Sequence, residues 1–290
     1  MIYKSGDDWR NSAQKRVLLF GMAGLGKTHI SNMLRASGDW FHYSVDYRIA
    51  THYMGDFIAD NLKREAMERP FLAEQLRTGS ICITPNTTFN DLTPLASYLG
   101  RPGDSAKGGL AMADYAARQQ QHHEAEVAAL GDAAHFIRRA RTIYGHDNFV
   151  CDSGGSICEV VDPFDPDDPV LRALSENLLL VCIRGSDALS DTLKKRFDAT
   201  PKPMCYRADF LTRVWGDYLS KNNVLEGDVD PQSFARWAFS QALDYRAPRY
   251  AAMAHNRGIT LSATDIAKVT TPKAFEDLIA RALEKHVARP

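Results

Sequence analysis

The stretch Gly21–Thr28 has the residue types and the spacing of a phosphate-binding loop. Its sequence, GMAGLGKT, matches the pattern G-x-x-x-x-G-K-[ST] at Gly21, Gly26, Lys27 and Thr28. Glycines let backbone N–H groups turn inward around an anion, and the start of a following helix adds partial positive charge. In this pattern the lysine reaches the β- and γ-phosphates, and the threonine hydroxyl holds Mg²⁺.

The elements around this stretch are those that the motif requires. Lys15–Phe20 is a short apolar run, which is typical of a buried parallel strand. A helix with one apolar face is predicted from Gly26 and ends at Gly38. Gly24 eases the turn between strand and helix. The order of strand, glycine loop and helix favours nucleotide binding over a plain glycine turn with an exposed lysine.

Two aspartates follow further strand-like runs. Trp40–Asp46 is predicted to be a strand that ends on Asp46, 19 residues after Lys27. Asn148–Asp152 is predicted to be another, ending on Asp152. A carboxylate placed like Asp152 holds magnesium, directly or through water, in nucleotide hydrolases and kinases, and the alternative is a cap on the next turn. Asp46 has the chemistry to accept the proton of an attacking hydroxyl or to help position magnesium.

Further polar residues near these strand ends have chemistry that suits a phosphorylated substrate. Arg48 offers a planar fork for a carboxylate or phosphate, or it is a surface arginine at a helix start. Gly154 and Gly155 allow close approach of a substrate to the backbone, as ordinary turn glycines also would. Leu193–Pro203 is rich in cations, including Arg196, and is either a lid over the transferring phosphoryl group or a solvated helix end.

The remaining pattern predicts an α/β fold with a mainly parallel five-stranded sheet between two layers of helices. Asn177–Gly185 supplies a fourth strand and Pro203–Tyr206 the fifth, while residues 79–110 are irregular. Residues 1–290 form a single nucleotide-binding domain in this prediction, and a mostly helical insertion on the substrate side spans residues 66–145. Ligands of such sheets bind at the carboxyl ends of the strands, where the glycine loop and both aspartates are predicted to lie.

Composition narrows the functional classes. The net charge of -1 gives no general electrostatic reason to bind nucleic acid or an anionic membrane. No long apolar run or secretory signal is present, which predicts a soluble cytoplasmic protein. The odd set of five cysteines without a CxxC pair predicts reduced thiols. His122 and His123 are adjacent on a predicted helix and indicate a solvated face rather than a metal site.

The glycine loop with Lys27 and Thr28, Asp46 at a strand end, glycines after the third strand and a cationic segment together resemble the shikimate and gluconate kinase group of P-loop small-molecule kinases. The resemblance implies that Asp46 contacts the substrate hydroxyl, that Gly154 and Gly155 line the substrate site, and that Arg196 reaches the phosphates. Lys202 assists where the group has arginine. The substrate-binding arginine of the group is not identified, with Arg64 and Arg77 both open.

The leading functional hypothesis is a magnesium-dependent kinase that transfers the γ-phosphoryl group of ATP to a small hydroxyl-bearing acceptor. An ATPase or nucleotide-dependent switch that controls a protein partner is the first alternative, and a nucleotide-binding structural subunit is the second. The chain has no N/TKxD-type segment for guanine, which favours adenine. The acceptor, the oligomeric state and the role of residues 79–145 are not specified by the sequence.

Overall fold

A computed structural model describes residues 1–199 and 203–287 of the chain. These residues contain a single sheet of five strands, all parallel, in the order β2-β3-β1-β4-β5. The strands are β1 Arg16–Phe20, β2 Trp40–Ser44, β3 Asn148–Asp152, β4 Leu179–Arg184 and β5 Gly258–Ser262. The predicted α/β class with a parallel five-stranded sheet is therefore confirmed.

Helices connect and flank the strands. In chain order they are α1 Gly6–Asn11, α2 Lys27–Ala36, α3 Val45–Arg48, α4 Gly55–Met67, α5 Pro70–Arg77, α6 Thr93–Leu99, α7 Met112–Gly131, α8 Ala133–Tyr144, α9 Ile157–Val160, α10 Pro169–Asn177, α11 Asp187–Ala199, α12 Ala208–Asn222, α13 Pro231–Arg257, α14 Ala263–Ile266 and α15 Pro272–Val287. A π-helical turn spans Ile49–Tyr53, and short 3₁₀ turns span Ser105–Lys107 and Glu226–Asp228. Among the described residues, no helix combines the length and the apolarity needed to cross a membrane.

The sheet is buried on both faces because its strands are almost continuously apolar. Alternate strand residues on one face, such as Leu19 and Val181, pack against Ile30 of α2 and Phe275 of α15 in one apolar core. On the other face, the ring of Phe20 lies 6.2 Å from that of Tyr250 in α13. The same face carries Tyr43 and Phe149 towards α8. This arrangement gives the expected three layers.

The chain divides into two compact units. The first contains Met1–Val45, Glu126–Pro201 and Arg236–Pro290 and includes the whole sheet. The second contains Asp46–Ala125 and Lys202–Ala235, and its described elements are helical. Within the second unit, the ring of Trp215 contacts that of Phe234 edge to face, at 4.8 Å between centroids.

Two strand predictions were wrong in detail. Pro203–Tyr206 is not a strand, because side chains of α7 satisfy its backbone: Gln119 donates to the Met204 carbonyl at 3.2 Å and accepts from the Tyr206 N–H at 2.8 Å. The fifth strand is instead β5, which begins directly after α13. The predicted strand Trp40–Asp46 ends at Ser44, and Asp46 lies in the short helix α3.

The structure also bears on the predictions for the cysteines, for residues 79–110 and for His122. Cys151, Cys158 and Cys182 are buried, and the described part of the chain contains no disulfide. The region 79–110 is less irregular than expected, since it contains α6. The expected solvated face at His122 is wrong, because this side chain is buried in α7. Burial lowers the pKa of His122 to about 4, so the imidazole is neutral at physiological pH.

Candidate functional site

The loop between β1 and α2 has the backbone conformation that its glycines were predicted to allow. Gly21, Gly24 and Gly26 all have positive φ angles, of 129°, 84° and 98°. A Cβ atom at Gly21 would lie 2.4 Å from the Ile183 carbonyl oxygen, so conformation and space both demand glycine there. Gly26 adopts the left-handed conformation immediately before Lys27, the first residue of α2. The strand, loop and helix order required by the motif is confirmed.

The Lys27 side chain is hydrogen-bonded to the backbone of this loop. Its Nζ donates hydrogen bonds to the carbonyl oxygens of Gly21, at 2.8 Å, and Met22, at 3.0 Å. The residue is only 7% exposed. The ammonium group therefore lies within the curve of the loop, on the side where an anion bound by the loop amides would meet it.

Thr28 and Asp152 come together beside Lys27. Asp152 is the last residue of β3 and lies opposite Leu19 of β1 in the sheet. Burial raises the pKa of its carboxyl group, while the charge of Lys27 and a hydrogen bond with the Thr28 side chain act in the lowering direction. The Thr28 hydroxyl, the Asp152 carboxylate and the Lys27 ammonium group therefore lie close together in this site.

The oxygen donors of this cluster fit a magnesium ion. Mg²⁺ in nucleotide sites is held by one or two protein oxygens together with phosphate oxygens and water. Thr28 and Asp152 supply two such oxygens. In the part of the chain that the structure describes, no three His, Cys, Asp or Glu side chains form a metal-binding group. In a nucleotide complex, phosphate oxygens and water would supply the other ligands of a metal held by Thr28 and Asp152.

His42 is a neighbour of Asp152 that the sequence interpretation missed. Its Nε2 lies 3.9 Å from Oδ2 of Asp152, and both side chains are nearly fully buried. Burial lowers the pKa of His42 to about 4, with the charge of Arg35 acting in the same direction, so the imidazole is neutral. The position of His42 in a predicted strand was the available signal. His42 and Asp152 lie on adjacent strands. Because His42 lies opposite Val150, the two side chains are on the same face of the sheet.

Gly154 and Gly155 follow Asp152 in the chain, and Gly155 lies beside the glycine loop. A Cβ atom built on Gly155 would be 3.4 Å from the Ala23 backbone nitrogen. The Gly155 carbonyl accepts hydrogen bonds from the Arg246 side chain, at 3.0 Å, and from the Tyr250 hydroxyl. The sequence interpretation assigned no role to these α13 residues. The run YRAPRY, with two arginines inside an apolar helix, was the signal that could have revealed them.

Helix α11, which carries the predicted cationic lid, lies against the glycine loop through Leu193. A Cβ atom at Gly24 would be 2.7 Å from Cδ2 of Leu193. The ring of Phe197 stacks on Phe239 of α13 at 3.9 Å between centroids, which anchors the last turns of α11. Arg196 lies on this helix with an exposed side chain, so its predicted contact with phosphates stays a prediction. Lys202 lies outside the described residues.

Asp46 and Arg48 belong to the second unit. Both lie in α3, directly after β2, and both are half-buried. The guanidinium of Arg48 lies over the Tyr53 ring, 5.4 Å from its centroid. Arg64 and Arg77 are exposed on α4 and α5. The roles predicted for these residues towards an acceptor stay predictions.

A cavity of about 980 Å³ adjoins the glycine loop within the first unit. Met22 and Leu25 line it on the loop side, and Arg184, Ser262 and Asp265 line it at the carboxyl ends of β4 and β5. Ligands of open parallel sheets bind at this edge. The cavity has the size of an ordinary small-molecule site and contains both apolar and polar walls.

Comparison with known proteins adds little to this geometry. No protein-family model matches the chain, and no curated protein matches its sequence. Among solved structures, the chain is similar to the 1.7 Å crystal structure of shikimate kinase from Bacteroides thetaiotaomicron. The two share 14% sequence identity with a TM-score of 0.38, and the match covers 95% of each chain. Because both values are low, this similarity carries no argument about substrate or activity.

Proposed function

We propose that this protein binds ATP with magnesium and transfers the γ-phosphoryl group to a small hydroxyl-bearing acceptor. The observation that carries the proposal is the meeting of Lys27, Thr28 and Asp152 beside a loop of three glycines with positive φ. A plain glycine turn needs neither a buried lysine nor a buried carboxylate hydrogen-bonded to the first turn of the next helix.

Each of these residues has a role in the proposed site. The loop amides and Lys27 bind the phosphates, and Thr28 and Asp152 would hold magnesium through their oxygens. A magnesium ion held by these residues would supply positive charge that offsets the negative charge developing on the phosphates during transfer. The burial of Asp152 strengthens its electrostatic interactions, because little water lies between it and its partners.

We propose that the cavity next to the loop binds the nucleoside part of the nucleotide. Met22 and Leu25, which belong to the loop Gly21–Thr28, line this cavity, so a nucleotide whose phosphates bind the loop would place its base and sugar there. Arg184 at the end of β4 lines the same cavity, and its planar guanidinium suits stacking on a base. We assign the base as adenine because the sequence has no guanine-specifying segment.

On the acceptor side, we propose that Asp46 contacts the acceptor hydroxyl. Arg48, Gly154 and Gly155 are proposed as further contacts with the acceptor. Arg196 is proposed to contact the phosphoryl group that is transferred. The proposed chemistry is the removal of a proton from an acceptor hydroxyl by the Asp46 carboxylate. We further propose a cytoplasmic protein whose partners are ATP and a metabolite rather than nucleic acid or a membrane.

Phosphorus NMR of the purified protein with MgATP and pooled metabolites tests the proposal. A new phosphate ester resonance that requires both protein and metabolites is the expected result. Release of only ADP and inorganic phosphate would instead support an ATPase or nucleotide-dependent switch. Binding of ATP without any consumption would support a structural nucleotide-binding subunit. Lys27→Ala protein serves as the control for contaminating kinases.

A further inference from the structure

Two arginines of α13 hold the segment that follows Asp152. Arg246 donates to the Gly155 carbonyl at 3.0 Å and to Oε1 of Glu159 at 2.6 Å. One turn later, Arg249 donates to the carbonyls of Cys158, at 2.7 Å, and Val161, at 2.8 Å. Side chains about 90 positions away along the chain therefore bind three backbone carbonyls of one short segment.

The ion pair between Arg246 and Glu159 is fully inside the protein. Arg246 is 0% exposed and Glu159 is 2% exposed. Taking two charges out of water is costly, and apolar residues of similar volume often replace such a pair without loss of stability. Stability alone is therefore a poor account of this pair, which points to a role in fixing geometry.

The geometry in question is the position of Gly155 against the glycine loop. Arg246 and Tyr250 both bond to the Gly155 carbonyl. Burial raises the pKa of Tyr250 well above its usual value, so its hydroxyl keeps the proton that it donates. The built Cβ of Gly155 is 3.4 Å from the Ala23 nitrogen, and Asp152 lies only three residues earlier. A shift of Gly155 would move both the loop contact and the carboxylate.

We propose that Arg246, with Glu159 and Tyr250, is a positioning residue that sets the segment Asp152–Ser156 against the glycine loop. The inference rests on the proposed function, because its consequence for ligands is the placement of the Asp152 carboxylate for MgATP. The proposed role of Arg246 does not require direct contact with the nucleotide. It acts through the Gly155 carbonyl.

Arg249 provides a matched control for the test. It is also buried and also bonds to two backbone carbonyls, but these belong to Cys158 and Val161, which lie beyond the segment Asp152–Ser156. The variants are Arg246→Lys, Arg249→Lys and the double variant Arg246→Met with Glu159→Leu, which replaces the charges by apolar groups of similar size. The measurements are the thermal unfolding midpoint and the dissociation constants for ATP with Mg²⁺ and with EDTA.

We expect Arg246→Lys to weaken MgATP binding by about 10-fold to 100-fold, the range typical for groups that support a metal ligand. Binding of ATP in EDTA changes little, because the loop that holds the phosphates is intact. Arg249→Lys lowers the unfolding midpoint but leaves MgATP affinity unchanged. The double variant regains the unfolding midpoint without regaining MgATP affinity. If affinity follows the midpoint in every variant, the pair is merely structural and the inference fails.

Hydrogen exchange separates failure of this inference from failure of the proposed function. In ligand-free protein, Arg246→Lys is expected to speed amide exchange in residues 152–156, whereas Arg249→Lys does so only beyond residue 156. A wild-type protein that binds no MgATP would overturn the proposed function, and the exchange measurement would still decide the positioning role. Unchanged exchange in residues 152–156 of Arg246→Lys would overturn the positioning role even in a protein that binds MgATP.

Discussion

The loop Gly21–Gly26 and the segment Ser153–Val161 both follow parallel strands at the same edge of the sheet, but different interactions hold them. Positive φ angles at glycine and a lysine from the adjoining helix shape the first. Arginine and tyrosine side chains from α13, about 90 positions away, hold the second. Residues close together in the sequence determine the conformation of the loop, whereas the segment Ser153–Val161 depends on contacts with a helix that is distant in the sequence.

This difference explains which part of the site is robust to distant change. A loop held by its own backbone keeps its shape as long as β1 and α2 are in place. A segment held by a buried ion pair follows any movement of α13. We therefore expect variants of the loop to remove nucleotide binding. Variants at Arg246 of α13 should weaken only the magnesium-dependent part of that binding. Variants at Asp46, which lies outside both segments, should affect phosphoryl transfer alone.

The largest effect is expected outside both segments, at Asp46. If its carboxylate accepts the proton of the acceptor, Asp46→Asn should lower phosphoryl transfer by about 10²- to 10⁴-fold while the affinity for ATP stays unchanged. Transfer is measured from the phosphate ester signal and affinity by calorimetry. Asp56→Asn, at an exposed position in the first turn of α4, is the matched control. Turnover at the wild-type rate in Asp46→Asn would remove Asp46 from the mechanism.

Glycine replacements should separate the two segments by stability. Gly21→Ala places a Cβ atom 2.4 Å from a carbonyl oxygen at a φ of 129°, so the free energy of unfolding should fall by about 3 kcal/mol. Gly155→Ala should change it by less than about 1 kcal/mol, because the segment has no positive φ there and the nearest atom is at 3.4 Å. Urea unfolding compares the two. Equal losses would contradict the view that only the first segment depends on glycine conformation.

A smaller effect is expected from acid at His122. Burial lowers the pKa of His122 from 6.5 to about 4, so the unfolded chain takes up this proton before the folded protein does. The stability from the neutral imidazole is complete above pH 6.5 and is lost as the pH falls towards 4. Between pH 7 and pH 5 the loss for this group is about 2 kcal/mol.

Urea unfolding of His122→Gln at both pH values measures this contribution. The variant should lose less stability between pH 7 and pH 5 than the wild type. His135→Gln, at an exposed position on α8, should behave like the wild type. An acid sensitivity that is the same in all three proteins would show that the burial of His122 does not control it.

The sequence predicted the parts of the site that local pattern determines. The glycine loop, α2 and the ends of β1 and β3 follow from apolar runs and turn residues within a few positions of one another. Asp152 was therefore predicted as a strand end, at the same edge of the sheet as the glycine loop. The class of the fold followed from the same alternation of strands and helices.

Features that depend on distant contacts escaped the sequence interpretation. Pro203–Tyr206 has a strand-like composition, but Gln119 supplies hydrogen bonds that a neighbouring strand would otherwise provide. The true fifth strand follows α13 without a break and so carries no turn signal. Arg246 and His42 were missed for a related reason. The run YRAPRY marks Arg246 as unusual and the predicted strands contain His42, but no local pattern identifies Glu159 or Asp152 as their neighbours.

The most direct test of the central claim is a calorimetric titration of MgATP into wild-type, Lys27→Ala and His29→Ala proteins. His29 is an exposed neighbour on the same helix and controls for general effects on α2. We predict saturable binding by the wild type and by His29→Ala, and a loss of affinity of about 10²-fold or more in Lys27→Ala. Wild-type affinity in Lys27→Ala, or no binding by the wild type, would contradict the assignment of this loop as the triphosphate site.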